Sequence, residues 1–358
     1  MKSLLPIYQT TIGLTLLVLF VSCYNSKHQP HDPLEHFAST SEYKLSVKRI
    51  IDLGKYNVYR PTTAIKYNSE YYIRDGSSPR SIKLYNDSKG TVRTLVNQGN
   101  GPMEMNSIDR IKKQDTAVVA FDHTRKKLYQ INNPESGEGI IEIKHYSMEE
   151  RPFIVDFHND MMLASGLFQS SWVNLYNGEN LVLALDFPIF DVTNALSALE
   201  NSILYLSTHV RFKPDGSAFA LAAINEGVLS VYRIIKGDWN NVVEWKYFPP
   251  IFKQLNMDET GTPLAFTKDN RIAFYALDCT DKFIYTLYSG KQVGLGALDA
   301  YLCQHVLVYD WNGNPVKHYY LDKPLHSMGV DEKAGILYGI GYDPEGCIIE
   351  YKLNNYCV

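Results

Sequence analysis

The feature that most constrains this chain of 358 residues is a unit that recurs six times. Each copy has a short apolar strand, a polar turn, a second apolar and aromatic strand, a loop, and a third strand ending near a tyrosine or isoleucine. The copies begin at Ala64, Ser107, Phe153, His209, Pro263 and His326, so successive starts lie 43, 46, 56, 54 and 63 residues apart. That period, with almost no helical periodicity, is the signature of repeated sheets of about four antiparallel strands. Sheets of this kind leave faces and edges open unless they stack and close into a ring. The expected fold is therefore all-β: a six-bladed β-propeller with four-stranded antiparallel blades.

Turn chemistry supports the strand assignments. Residues 67–70, 213–216, 267–270 and 331–335 supply Asn, Asp or Gly where a first strand must reverse into a second. Residues 86–90 and 310–314 read as hairpin loops leading to outer strands. Only residues 191–201 suggest a helical insertion, between the third and fourth copies. The chain ends soon after the third strand of the sixth copy, while residues 43–54 form a spare strand upstream of the first. That N-terminal strand is expected to complete the sixth blade and close the ring. The 26 Tyr and 15 Phe fit this reading, because aromatic residues favour strands. Tyr71, Tyr72, Phe219, Phe274 and Tyr275 are expected to pack between blades. Lys and Arg number 35 against 39 Asp and Glu, a net charge of −4. With no basic cluster, nucleic acid is excluded as an expected partner.

The N-terminus carries an address. Lys2 and the apolar residues 11–21 have the pattern of an export signal, too short to span a bilayer as a helix. Phe20-Val21-Ser22-Cys23 resembles a bacterial lipobox, with Phe20 in place of the usual Leu, and makes Cys23 the expected lipid-attachment site. Residues 1–22 are then a signal peptide, 23–42 a polar, flexible tether, and 43–358 the propeller. The expected location is the cell envelope, as an outer-membrane lipoprotein held to the membrane by its N-terminal lipid. Cys279, Cys303, Cys347 and Cys357 are an even set in an exported chain and could form disulfides. Cys279 with Cys303 and Cys347 with Cys357 are the local pairings, and free thiols are the alternative.

Two short motifs, Gly99-Asn100-Gly101-Pro102-Met103-Glu104 and residues 285–291 (YTLYSGK), join the lipobox and the six repeats in a resemblance. Over residues 43–353 the chain resembles the TolB-like six-bladed propeller lipoproteins of Gram-negative gut anaerobes. The resemblance implies an envelope propeller that binds something, and it supplies no catalytic residue. Glu104 and its glycines are expected to order an inter-blade loop, the glycines at positive φ and Pro102 stiffening the next entry.

No sequence pattern indicates a catalytic centre, a cofactor or a metal. There is no G-x-S-x-G elbow, Ser289-Gly290-Lys291 lacks the rest of a phosphate loop, and no His or Cys pair has metal-ligand spacing. Residues 212–217 resemble a sialidase turn without its tryptophan and read as a plain hairpin. In a propeller, however, sites assemble from different blades at one mouth of the channel. Strand entries should bring Arg60, Asn106, Arg151, His209 and His326 there. Inter-strand loops should bring Asp75 with Arg80, Asp122 with His123 and Arg125, Gln169 with Trp172, Asp278 with Lys282, and Asp343 with Glu345. The ligand-binding candidates are Arg60, Asp75, Arg80, Arg151, Trp172, His209, Asp278 and His326, a mixture suited to a glycan or a peptide end. The expected function is a binding or scaffolding module for a ligand or an envelope protein. The alternative is a lyase or glycan-processing enzyme with its site in the mouth, and a third reading makes the chain a subunit of an envelope complex docked through its side or bottom face.

Overall fold

The structure, a computed structural model, describes residues 30–108, 110–114, 117–132, 139–148, 150–255, 264–295 and 298–353. Six antiparallel sheets are arranged as blades around a channel. The innermost strands are Pro61–Tyr67, Arg110–Gln114, Arg151–His158, Thr208–Phe212, Phe274–Cys279 and Gly329–Asp331. Each lies against its neighbours in the ring, and each opens a sheet whose strands step outward in chain order, except that the outermost strands of blades 5 and 6 come from the N-terminal segment. In blade 4, for example, Ala218–Ala223 is buried at every position because neighbouring blades cover both faces. The outer strand of that blade, Asp238–Lys246, is buried at none.

The core is divided into six apolar clusters, each spanning one junction between blades. Tyr72, Ile82, Ile111 and Ile131 join blades 1 and 2, and Leu229, Phe274 and Tyr309 join blades 4 and 5. Tyr71, Phe219 and Phe274 are fully buried in such junctions, as expected. Aromatic side chains suit these seams because each buries a large area on a pleated surface.

The N-terminal segment closes the ring and does more. Val47–Asp52 pairs antiparallel with Gly346–Lys352 as the outer strand of blade 6. The preceding Glu42–Leu45 pairs in parallel with Pro315–Leu325 and gives blade 5 a fifth strand. Residues 32–40, expected within the flexible tether, are docked. A short helix, α1 (Pro33–His36), is capped by Asp32, whose carboxylate accepts from Leu34 N at 2.8 Å. Phe37 is 1% exposed, edge-on to Tyr309. The composition of this stretch is polar enough to look unstructured; what fixes it is the pocket that Trp245, Tyr247 and Tyr309 offer, which no local pattern reveals.

Blade 5 departs from the sequence alignment in a second way. Its inner strand is Phe274–Cys279, and Leu264–Phe266, expected in that place, pairs with Phe252–Gln254 in a separate hairpin. The Asn270 side chain accepts from Ile251 N and donates toward Asn225 O, so the expected blade turn at residues 267–270 instead links that hairpin to the blade. The helical insertion is present as α2 (Ala198–Leu204), with a Ser197–Glu200 capping box.

Cys279, Cys303 and Cys347 are free thiols. Cys279 ends the inner strand of blade 5, whereas Cys303 begins the third strand at the other end of the sheet, so sequence proximity does not bring them together. Cys347 lies against Gly341 O, and its expected partner Cys357 lies outside the described residues. Cys23 and the signal peptide also lie outside them.

Candidate functional site

The chain enters every inner strand at one end of the ring, here called the entry face, and the loops between second and third strands turn at the same end. Two of the expected mouth residues prove to be struts of this arrangement. Asp75, 1% exposed, accepts from Arg60 N, Ser77 N and the Ser77 hydroxyl, and is paired with Lys83 Nζ at 2.7 Å. Burial pushes its carboxyl up, but the Lys83 ammonium and the Ser77 bonds outweigh that and hold its pKa below the usual value. In blade 2 Asp122 does the same work, accepting from Asn106 N, the Ser107 hydroxyl, Thr124 N and Arg125 N. Each carboxylate fastens a strand entry to a neighbouring loop. Trp172 is also structural: it is 1% exposed and donates to Thr208 Oγ1 at 2.8 Å between blades 3 and 4. Arg60 and Arg151 are exposed on the rim, and Arg80, half-buried, accepts at its carbonyl from Gln98 N and donates its backbone N–H to Gln98 Oε1.

His209 and His326 come together around a residue of the blade between them. His209 Nε2 lies 2.8 Å from Tyr275 O, and the Tyr275 hydroxyl lies 3.4 Å from His326 Nε2. Tyr275 stacks obliquely on Tyr301 at 4.9 Å and on His326 at 5.0 Å, and Tyr342 meets the far side of His326. Unlike Tyr71, Tyr72, Phe219 and Phe274, Tyr275 is only half-buried. Desolvation, with Arg110 and Arg211 adding repulsion, lowers the pKa of His209 to about 3; desolvation, with Arg74, lowers that of His326 to about 4. Both imidazoles are neutral at pH 7, so this tier offers hydrogen bonds and ring faces without charge.

A charged tier lies deeper along the inner strands. Asp156, fully buried, accepts from Phe212 N at 2.7 Å, is paired with Lys112, and has Arg211 NH1 at 3.7 Å. Arg211 reaches on to Asp278 at 4.0 Å, and Asp278 accepts from Val330 N at 2.8 Å. The network therefore crosses blades 2, 3, 4, 5 and 6. Enclosure by the channel raises the Asp278 pKa against the pull of Arg211. Thr63, Arg110, Lys112, Arg211, Val155 and Phe157 help line a cavity of about 40 Å³, too small for a whole ligand and sized for a terminal group or a few waters. Asp278 thus belongs to the channel through its inner strand, whereas Lys282 sits in the turn at the opposite end of blade 5.

The charged tier was legible in part. Lys112, Asp156, Arg211 and Asp278 are ionisable residues on the inner strands of four successive repeats, and that recurrence is the signal that could have found the first three. Among the described residues no three His, Cys, Asp or Glu side chains converge in a metal-binding geometry.

The sequence profile of the TolB-like 6-blade propeller-like family matches residues 43–333. The chain belongs to that family. Among solved structures it is similar to a Bacteroides fragilis protein assigned as exported, at 8% identity and a TM-score of 0.50 over 88% of this chain and 99% of that one. It is also similar to the Neurospora crassa Pan2 WD40 domain, at 11% identity and a TM-score of 0.46 over 84% of this chain and 91% of that one. At such identities the likeness concerns the fold alone. Comparison with curated proteins gives no match.

The two motifs that carry the family resemblance are architectural here. Gly101 N donates to Glu104 Oε2 at 2.8 Å, and Arg125 donates to Glu104 O and Gly99 O. Gly99 and Gly101 are not among the residues at positive φ. A Cβ at Gly99 would lie 2.0 Å from the Glu104 carboxylate and push it aside, and one at Gly101 would lie 3.1 Å from the same carboxylate. In blade 5 the Ser289 hydroxyl donates to Ala300 O, Gly290 takes φ +71°, and Lys291 Nζ donates to Leu302 O, which together fasten residues 289–291 to residues 300–302.

Proposed function

We propose that this propeller is a lipid-anchored binding module of the cell envelope that holds the polar end of a glycan or peptide in its channel mouth. The observation that carries this reading is the pairing of two tiers on one axis. Neutral His209, Tyr275 and His326 offer donors, acceptors and ring faces at the entry face, and Arg211, Lys112 and Asp278 offer charge below them. Aromatic rings beside a few convergent polar groups are the usual composition of a site for a polar organic ligand. The buried Asp156 is committed to Phe212 N, Lys112 and Arg211, which fits a fixed recognition surface.

Anchoring rests on the lipobox at Cys23, and no helix among the described residues is long and apolar enough to cross a membrane. In cells fed labelled palmitate, the chain should incorporate label and the Cys23→Ser variant should not. For the site, the full-length protein purified from envelopes in mild detergent is examined by native mass spectrometry. A small ligand should be retained, and Arg211→Ala should weaken retention about tenfold or more, the cost of one charged hydrogen bond. Equal retention by Arg211→Ala, or none by either protein, would remove the channel as the site.

A further inference from the structure

Three insertions rise from the entry face on one side of the ring. They are residues 186–207 between blades 3 and 4, residues 247–273 between blades 4 and 5, and residues 289–302 within blade 5, of which 256–263 and 296–297 lie outside the described residues. Hydrogen bonds join them into one layer. Gln254 Nε2 donates to Glu200 Oε1 at 3.0 Å, Ile251 N to Asn270 Oδ1 at 2.8 Å, and Gly294 N to Lys268 O at 2.7 Å. The layer nevertheless leaves large apolar side chains in solvent: Ile189 is 61% exposed, Val192 53%, Leu199 54%, Ile251 45% and Leu298 48%. In α2 Ser202 and Leu204 are buried, whereas Leu199, in the first turn of the same helix, stands in solvent.

The chain itself leads to this layer. Asp32 is paired with Arg271, which belongs to the second insertion, and accepts from the Tyr288 hydroxyl at the entry-face end of blade 5 at 3.0 Å. Upstream of Asp32 only eight residues, 24–31, separate it from Cys23. Fully extended, they reach about 30 Å at most. An anchor on so short a lead holds the insertion layer close to whatever surface Cys23 enters, and at such effective concentration weak apolar contacts suffice.

We infer that the insertion layer rests on the lipid surface, with Leu199, Ile251 and Leu298 in the headgroup region and the channel mouth tilted toward the membrane beside them. The inference rests on the reading of Cys23 as lipidated. A lipid surface is favoured over a protein partner because the anchor itself delivers it to this layer.

The test places photoreactive benzoylphenylalanine at Leu199, Ile251 or Leu298 of the full-length protein, with Ile143 on the outer strand of blade 2 and Ile235 at the far end of blade 4 as references. All five positions are exposed, so folding is preserved. Intact envelopes are irradiated, adducts are identified by mass, and the Cys23 peptide is weighed from the same sample. Lipid adducts at the three layer positions should exceed those at the references at least about fivefold. Protein adducts at the layer, or equal lipid yields at all positions, overturn the inference. If Cys23 carries its lipid in that sample, the anchor reading survives alone; if Cys23 is unmodified, both fall.

Discussion

At the residue scale, the histidines of the mouth make the molecule acid-sensitive. His209 and His326 are held neutral down to about pH 3 and pH 4, chiefly by desolvation. In the unfolded chain they would take up protons near pH 6.5. The unfolded state therefore binds more protons between those values, so stability is fully present above about pH 6.5 and is lost as the pH falls through the window from 6.5 to 4. Each histidine contributes a slope of up to about 1.4 kcal/mol per pH unit. His305 and His318, 2.9 Å apart in blade 5, are lowered in the same direction, principally by burial. Urea unfolding measured from pH 7.5 to pH 4.5 should show stability falling steadily, and His209→Gln should flatten the curve by close to one proton. An unchanged slope in that variant would mean that His209 is charged in the folded state. Glu226 has the opposite sense: burial raises its carboxyl well above the usual range, so its contribution is lost as pH rises.

At the scale of elements, the segment before the first blade is the least predictable part of the fold. Residues 32–40 carry no strong period, yet α1 and Phe37 seal the outer seam between blades 4 and 5. His36 Nδ1 lies 2.9 Å from the Tyr247 hydroxyl, which in turn meets the Tyr309 hydroxyl at 3.2 Å. Phe37→Ala should cost about 3 kcal/mol of docking, in the range for emptying an aromatic site. Because that seam lies outside the inner strands, the loss should be local. Hydrogen exchange should quicken in residues 31–45 and stay unchanged in the inner strands of blades 1 to 3. Uniform acceleration throughout the chain would show instead that the segment is part of the global cooperative unit.

At the scale of the whole molecule, the closing strand has a different standing. Ile51 is 5% exposed and opposite Ile348, at the one place where the two ends of the chain meet in a sheet. Ile51→Ala should lower stability by about 3 kcal/mol. The ring closes through this strand, so the loss should appear as an earlier midpoint of the single unfolding transition. A separate low-temperature transition, with the main midpoint unmoved, would mean that five blades hold together without the sixth.

What the sequence determined by itself was local and periodic. Alternating strands, Asn-, Asp- and Gly-bearing turns, six copies and a spare N-terminal strand were enough for a closed propeller, because strand periodicity and turn chemistry depend on residues near one another in the chain. The tertiary structure decided everything that requires distant residues to meet. It moved Leu264–Phe266 out of blade 5, whose inner place went to Phe274–Cys279, because a separate hairpin partner, Phe252–Gln254, was available. It made Asp75 and Trp172 struts by burying them, and kept Cys279 and Cys303 apart at opposite ends of one sheet. It set Tyr275 between His209 and His326, and Arg211 between Asp156 and Asp278. Those contacts join residues from separate blades, and only closure of the ring turns their inner strands toward a common axis.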